Sequence, residues 1–414
     1  MSQPVENHPK RWKWRLEWAF QVGLENAVGR LPGPWVFRLG SWLGGLAWYV
    51  LPQRRAVVLR NLRIAYAGEH DLATLRGIAR ESFRRTGANL FSAASTARLR
   101  PDQLARVVTI ENLELLEQAL AGGKGVVLLL AHMGNWELLS RLIHLFPPGT
   151  RAGAFYRPLN NNLLDERVLQ RREVDGTRMF SKRDNPHFVA GFLREGAVVG
   201  ILADQRVGPQ GELVEFFGRL TRGSPLPSLL ARRSKSNVLA LSLTTSGVGK
   251  WRARFIPVAA SRTTSACMVA LEQAMRGSPA DVFWFQDRWK VYVDAGNSIQ
   301  TWLGTATPAA GKRHRALLWL ADAPAAWQLP AEWRHSDVDY EAVLTPAQPR
   351  PDWLPAATRT HPAPAGGERD ELRKVIAEID AAAVLPVDFI VTAGAPKALV
   401  KACDREGIPL AALF

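Results

Sequence analysis

A chain of 414 residues has room for about two or three domains and a large buried core. Its 47% apolar content is that of an ordinary globular protein, but its formal charge of +15 and isoelectric point near 10.4 point to a polyanionic partner: nucleic acid, an anionic membrane face or an acidic protein. Two distant cysteines, Cys267 and Cys403, give neither a disulfide framework nor a zinc site and fit a reducing compartment, and the 8 histidines are too scattered to imply a metal.

Residues 1–9 read as a disordered start. Lys10 to Arg15 then mixes cations with Trp12 and Trp14, and Trp18, Trp35, Trp42 and Trp48 follow before residue 52. Indole rings and cations together favour the membrane–water interface. Gly33 to Leu51 is almost wholly apolar and about long enough to span a bilayer. Arg38 and the glycines at 33, 40, 44 and 45 favour an interfacial or re-entrant helix instead, with a buried core helix as the structural alternative. The start lacks the form of a cleavable signal, so the chain is expected to stay on the cytoplasmic side, as the cations beside the apolar stretch also suggest. Cations are rarely interleaved with aromatics beyond this region and no nucleic-acid module is recognisable, so no nucleic-acid partner is expected.

Arg54 to Ala94 has helical periodicity, Val107 to Ile110 is a short strand, and Glu111 to Leu120 is a helix ended by Gly122-Gly123. Gly125 followed by Val126 to Ala131 is an unbroken apolar run, the pattern of a strand buried on both faces. His132 then stands at the strand end, Gly134 makes the turn, Asn135 is a plausible N-cap, and Glu137 falls in the first turn of a helix. On one helix, five steps of about 100° would set His132 and Glu137 roughly 140° apart, but across a strand–turn–helix corner they can meet. A carboxylate on one imidazole nitrogen fixes the tautomer and raises the basicity of the other, which can then take a proton from a hydroxyl attacking a carbonyl. No G-x-S-x-G elbow lies nearby, so the hydroxyl would belong to a substrate and the reaction would be direct acyl transfer. A chance H-x4-E pair, with the histidine merely a satisfied polar group, is the plainer alternative.

Gly153 to Tyr156 is the next strand and delivers Arg157, a guanidinium placed to bind phosphate or stabilise an oxyanion, or to form a surface ion pair. Leu163 to Arg172 is a helix whose arginines join Arg178, Lys182 and Arg183 in a basic block. Gly196 to Leu202 is a second buried strand ending at Asp204-Gln205, where the Asp is placed to orient a sugar hydroxyl or Arg157. Phe216-Phe217-Gly218 begins an apolar stretch that would either cover an acyl chain or, the preferred reading for the two Phe residues, pack in the core. Leu226 to Arg233 is a helix, Val238 to Leu243 a strand, and Arg252 to Phe255 an alternating edge strand. Strands alternating with helices predict an α/β layered fold with a mostly parallel central sheet flanked by helices.

His132-Met133-Gly134-Asn135-Trp136-Glu137 resembles the H-x4-D/E signature of the glycerolipid acyltransferases, and most of all the late acyltransferases of lipid A biosynthesis, the lauroyl and myristoyl transferase family. The resemblance recurs in Tyr156 to Asp165, in Ala203-Asp204-Gln205, in Phe216-Phe217-Gly218, and in Phe283-Trp284 with Arg288-Trp289-Lys290, and covers residues 10 to 295. It implies a glycerolipid-acyltransferase-like fold and acyl transfer from acyl carrier protein to a hydroxyl of a 3-hydroxyacyl chain on a lipid A precursor, at the cytoplasmic face of the inner membrane, without cofactor or metal. His132 and Glu137 would be catalytic, and Asn135, Arg157, Asp204 and Gln205 substrate-binding. The chain departs from the family in having Asn162 where Pro is usual and Gln286 where a His is usual, which puts the headgroup preference in question. An acyltransferase acting on another glycolipid or an aminolipid, and a non-catalytic membrane scaffold, are the alternatives.

Family members usually stop soon after Lys290, whereas this chain continues. The expected organisation is 1–60 membrane-associating helices, 61–298 catalytic domain, 299–313 Ala/Pro/Gly-rich linker and 314–414 a small Rossmann-like α/β extension. In the extension Ala316 to Leu320, Asp388 to Thr392 and Pro409 to Phe414 read as strands, and Glu368 to Ala382 and Pro396 to Glu406 as helices. The last βαβ resembles the nucleotide-sugar-binding part of heptosyl-type glycosyltransferases, but Ala393 and Ala398 stand where that family has Asp and His, so no glycosyl transfer is expected.

Overall fold

The computed structural model describes residues 11–181, 184–208, 210–259, 262–289, 299–303 and 313–413. The expected disordered start, Lys182, Arg183, Lys290 and the linker at 305–312 lie outside them. The chain divides into two compact units that interleave in sequence: the first gathers the described residues of Met1–Pro52, Ile78–Gln205 and Ser224–Phe283, the second those of Gln53–Gly77, Arg206–Gly223 and Trp284–Phe414.

The first unit is built on a seven-stranded sheet of order β1-β9-β8-β2-β5-β3-β4, formed by β1 (Val108–Glu111), β2 (Val126–Leu130), β3 (Ala152–Tyr156), β4 (Arg178–Ser181), β5 (Val198–Leu202), β8 (Asn237–Gly247) and β9 (Lys250–Pro257). Only the β8–β9 pair is antiparallel. β2 lies at the centre, and all of its residues are buried between two apolar clusters, one on each face of the sheet. That is why its sequence shows no alternation. β9 does alternate, with Trp251, Ala253 and Phe255 buried and Arg252 and Arg254 exposed. It is not an edge strand as the alternation suggested, because β1 pairs along its other side. Alternation reports one solvated face and says nothing of the strand's neighbours.

Helices α1 (Arg11–Val28), α2 (Gly33–Val50) and α4 (Leu72–Thr96) belong wholly or mostly to this unit. α2 lies against α4 through glycines: a Cβ on Gly40 would sit 2.5 Å from the Gly87 carbonyl oxygen, and one on Gly44 2.2 Å from that of Phe83. The other side of α2 leaves Trp35, Leu39, Trp42, Leu46 and Tyr49 exposed at heptad spacing. No helix of the described residues is long and apolar enough to cross a membrane.

Several elements were missed in the sequence: α5 (Pro101–Val107), β4, α8 (Pro186–Arg194), β11 (Val338–Leu344) and β12 (Thr360–Pro362). α7 (Asn162–Glu173) and α9 (Leu226–Ser234) stand where they were expected.

The second unit holds a five-stranded, all-parallel sheet of order β12-β11-β10-β13-β14, with β10 at His314–Trp319, β13 at Phe389–Thr392 and β14 at Leu410–Ala412. In chain order this is 3-2-1-4-5, the Rossmann arrangement expected of the extension. The unit also contains α3 (Pro52–Tyr66) and the hairpin of β6 (Glu212–Phe216) and β7 (Arg219–Gly223). Phe217 (φ 54°) and Gly218 (φ 68°) form the two-residue left-handed turn of that hairpin. Both Phe216 and Phe217 are buried, stacking with Trp284 and Trp289, so they are core residues as anticipated.

Arginines from α3 and the hairpin bind the extension directly. Arg63 pairs with Asp380 at 3.3 Å, and Arg219 with Asp388 at 3.2 Å, all four groups being buried. Asp388 also meets His314 Nδ1 at 3.2 Å and accepts from the Arg315 backbone N–H. Burial draws the Arg219 guanidinium down to about 10 despite the opposing Asp388 charge.

Candidate active site

Leu130 of β2 pairs with Leu202 of β5, so His132 and Asp204 each come two residues beyond that pair, at the carboxyl ends of adjacent parallel strands. Sites in open α/β sheets gather there. His132 Nδ1 lies 2.7 Å from Asp204 Oδ1, and the His132 backbone N–H donates to Asp204 Oδ2 at 3.0 Å. A carboxylate can only accept, so Nδ1 carries the proton and Nε2 keeps its lone pair. Gln205 Nε2 lies 3.1 Å from that Nε2.

The loop after β2 is held rigidly. Gly134 has φ 56°, its N–H donates to the Asp281 carbonyl at 2.9 Å, and a Cβ there would come within 2.3 Å of the Leu243 carbonyl oxygen. Glycine is required on both counts. The Phe283 N–H donates to the His132 carbonyl at 2.8 Å, and the Trp136 ring packs edge-on between the rings of His132 and Phe283.

Burial alone would lower the pKa of the imidazole, but the charge and hydrogen bond of Asp204 outweigh it, and the pKa is raised overall. The charge of Glu137 adds to the rise and that of Arg172 opposes it.

Three sequence expectations are corrected by this geometry. Glu137 is not the carboxylate on the imidazole: its oxygens accept from Arg172 of α7 at 2.7 and 3.1 Å, and it reaches His132 only through its field. The reason is that the chain after Asn135 enters a 3-10 helix, Trp136–Leu145, which turns the Glu137 side chain toward α7. Asp204, expected to orient a sugar hydroxyl or Arg157, is the carboxylate that holds His132. Asn135 does not cap a helix; it is buried, its amide donates to Thr96 Oγ1 at 3.1 Å, and its Oδ1 has no protein partner among the described residues.

Arg157 is exposed and, among the described residues, makes no ion pair. It ends β3, two strands from β2, so its Cα lies roughly 10 Å from that of His132 at the usual spacing of strands. Of the basic block, Arg167 and Arg171 are bound to Glu25 of α1 at 2.9 and 2.8 Å, which docks α1 onto α7.

Sequence reasoning missed a largely apolar cavity of about 550 Å³ between α1, α4 and α7, with Glu137 in its lining. Phe20, Leu24 and Val28 supply one wall, Leu90 and Phe91 the second, and Val168 the third. The signal was present in the spacing of Phe20, Leu24 and Val28 along one face of α1. Among the described residues no cluster suited to a metal ion occurs.

A base–carboxylate pair at a strand-end crevice, its carboxylate buried and its imidazole partly so, defines a site for moving a proton, and the same unit holds a largely apolar cavity that Glu137 helps to line. Residues 3–291 match the family of bacterial lipid A biosynthesis acyltransferases, and the chain belongs to that family. It is 28% identical over 211 residues to the lipid A biosynthesis palmitoleoyltransferase of Escherichia coli K12, covering 51% of this chain and 66% of that protein. It is 28% identical over 207 residues to the lauroyltransferase of the same organism, covering 50% and 64%. A phosphatidylinositol mannoside acyltransferase of Mycobacterium tuberculosis H37Rv is 30% identical over 200 residues, covering 45% and 61%. The chain thus spans just under two thirds of the length of these relatives.

Proposed function

We propose that this protein is an O-acyltransferase that moves a fatty acyl chain from acyl carrier protein to a hydroxyl of a 3-hydroxyacyl chain on a lipid A precursor. The observation that carries the reading is the His132–Asp204 pair, which leaves Nε2 with its lone pair at a strand-end crevice; a largely apolar cavity lined in part by Glu137, five residues on from His132, supports it. Nε2 takes the proton of the acceptor hydroxyl as that oxygen attacks the thioester carbonyl. Asp204 stabilises the imidazolium, which returns its proton to the thiolate as the C–S bond breaks. The cavity takes the acyl chain, and Arg157 takes a phosphate of the acceptor or an acidic group of the carrier. The domain order expected from sequence, with membrane-associating helices ahead of the catalytic region, fits this role. The exposed Trp and Leu stripe of α2 and the formal charge of +15 would hold the enzyme on the cytoplasmic face of the inner membrane.

The test is acyl transfer by the purified protein from acyl carrier protein thioesters to a tetra-acylated lipid A precursor, beside His132→Ala. A general base contributes about 10²–10⁴ in rate, and a loss of that order is expected. Equal turnover by the two proteins would make His132 structural. Similarity to a mannoside acyltransferase favours one other reading, a different glycolipid acceptor with the same base. Transfer to a phosphatidylinositol mannoside but not to the lipid A precursor would select it.

A further inference from the structure

Gln205 bears on how such a site would avoid hydrolysing its own donor. Its carboxamide nitrogen lies 3.1 Å from His132 Nε2 and 3.5 Å from Nδ1. The protonated Nδ1 donates a hydrogen bond to Asp204 at 2.7 Å, so the lone pair that can accept from Gln205 is the one on Nε2. This is the nitrogen that must take the acceptor's proton. Gln205 itself is exposed, and it directly follows Asp204, whose carboxylate is bound to the His132 backbone N–H, so its side chain has room to swing from a fixed neighbour.

We propose that Gln205 is a positioning residue that caps the basic nitrogen of His132 in the resting site, shields it from water, and yields to the acceptor hydroxyl. This rests on the acyl-transfer reading. With the donor bound and no acceptor present, water at Nε2 would be deprotonated as it attacked the thioester carbonyl. The C–S bond would break, the carboxylic acid would be released, and the thiol would leave with the proton. The carboxamide occupies the place such a water needs. A lipid hydroxyl carried in by a large apolar acceptor brings enough binding energy to displace one neutral hydrogen bond. The cap also opposes protonation, because its N–H occupies the lone pair that a proton would take. Asp204 and Glu137 face the ring as anions and Arg172 as a cation, and all three remain in place when Gln205 is changed.

Two readouts on the full-length protein test this. The first needs no turnover: ring nitrogen shifts of His132, assigned against His132→Ala, are followed through pH in wild type and Gln205→Ala. The expected result is an Nδ1–H tautomer in both, with the titration moved to higher pH in Gln205→Ala and further in Gln205→Glu, whose carboxylate would favour the charged ring. Identical titrations would overturn the cap. The second is the ratio of donor hydrolysis without acceptor to transfer with it. Losing one neutral hydrogen bond is worth about tenfold, so the ratio should rise by up to roughly that factor in Gln205→Ala, and the KM for acceptor should fall because the acceptor no longer has to displace the cap. An unchanged or lower ratio would overturn the shielding role. A shifted titration in a protein that transfers no acyl chain would refute the acyl-transfer reading and leave the cap standing.

Discussion

His132 and Asp204 end neighbouring parallel strands at one level, and the carboxylate holds both the ring Nδ1 at 2.7 Å and the backbone N–H at 3.0 Å. The double attachment fixes the ring and its tautomer together. Asp204→Asn keeps the shape but can present an N–H to Nδ1, which would drive the proton to Nε2 and leave no base. Turnover should fall by about 10²–10⁴, with little change in KM, in steady-state transfer assays. Near-normal turnover would show that the pair is not needed.

The raised pKa of His132 has two consequences of opposite sign. As a base it works only when neutral, so the acid limb of the pH–rate profile should lie above the ordinary histidine value of about 6.5. For stability, a pKa raised on folding means stabilisation that is full below the unfolded value and lost as pH rises through the folded one. Thermal midpoints of wild type should therefore decline relative to His132→Gln across the same window in which activity appears. An acid limb below the ordinary value would contradict the placement of Asp204.

Glu137 and Arg172 should behave as a unit. Each half-buried side chain neutralises the other beside His132, so removing either exposes the ring to an unbalanced charge. Glu137→Gln and Arg172→Met should each lower transfer, and the double variant should lose less than the product of the two. Neighbouring groups of this kind couple by about 0.5–3 kcal/mol. Strict additivity would mean that Glu137 acts on the substrate independently of Arg172.

Membrane contact can be separated from catalysis on α2. Trp35 and Trp42 are exposed on the side away from Gly40 and Gly44, so replacing them with Ser leaves the α2–α4 contact intact. Burying a large apolar side chain is worth about 1.5–3 kcal/mol, and the pair of substitutions should weaken co-sedimentation with vesicles containing an acidic phospholipid at least roughly tenfold. Unchanged sedimentation would assign the stripe to something other than lipid.

The central strands and the helices between them were legible because burial on both faces writes an unbroken apolar run, as in Val126 to Ala131. The level at which two parallel strands align leaves no such mark, so the sequence offers a sugar hydroxyl or Arg157 as the partner of Asp204 and not His132. The 3-10 turn after Asn135 was equally silent, since Trp136 to Leu145 has the apolar spacing of an ordinary helix. β11 was missed because Asp339 and Glu341 interrupt its apolar pattern; Glu341 is drawn into the sheet by Arg315 at 2.8 Å. Partners so distant in the chain cannot be read from spacing.

A partnership between residues far apart in the chain supplies a test of how the extension is used. Arg219 in the hairpin and Asp388 in the extension are buried, and Arg219 also donates to the backbone carbonyls of Val387 and Asp388. Asp388→Asn would leave a buried guanidinium without its counter-charge, a change that costs about 3–5 kcal/mol. If α3, the hairpin and the Rossmann-like sheet fold as one body, that cost should appear in all three. Hydrogen exchange on the full-length variant should then show lost amide protection in Pro52–Tyr66, in Glu212–Gly223 and in Phe389–Thr392 together. Replacing Arg219 by Met in the same chain should restore part of it, because the uncompensated charge is gone. Loss confined to 314–413 would mean that α3 and the hairpin hold their structure without the extension, and that it is an appendage after all.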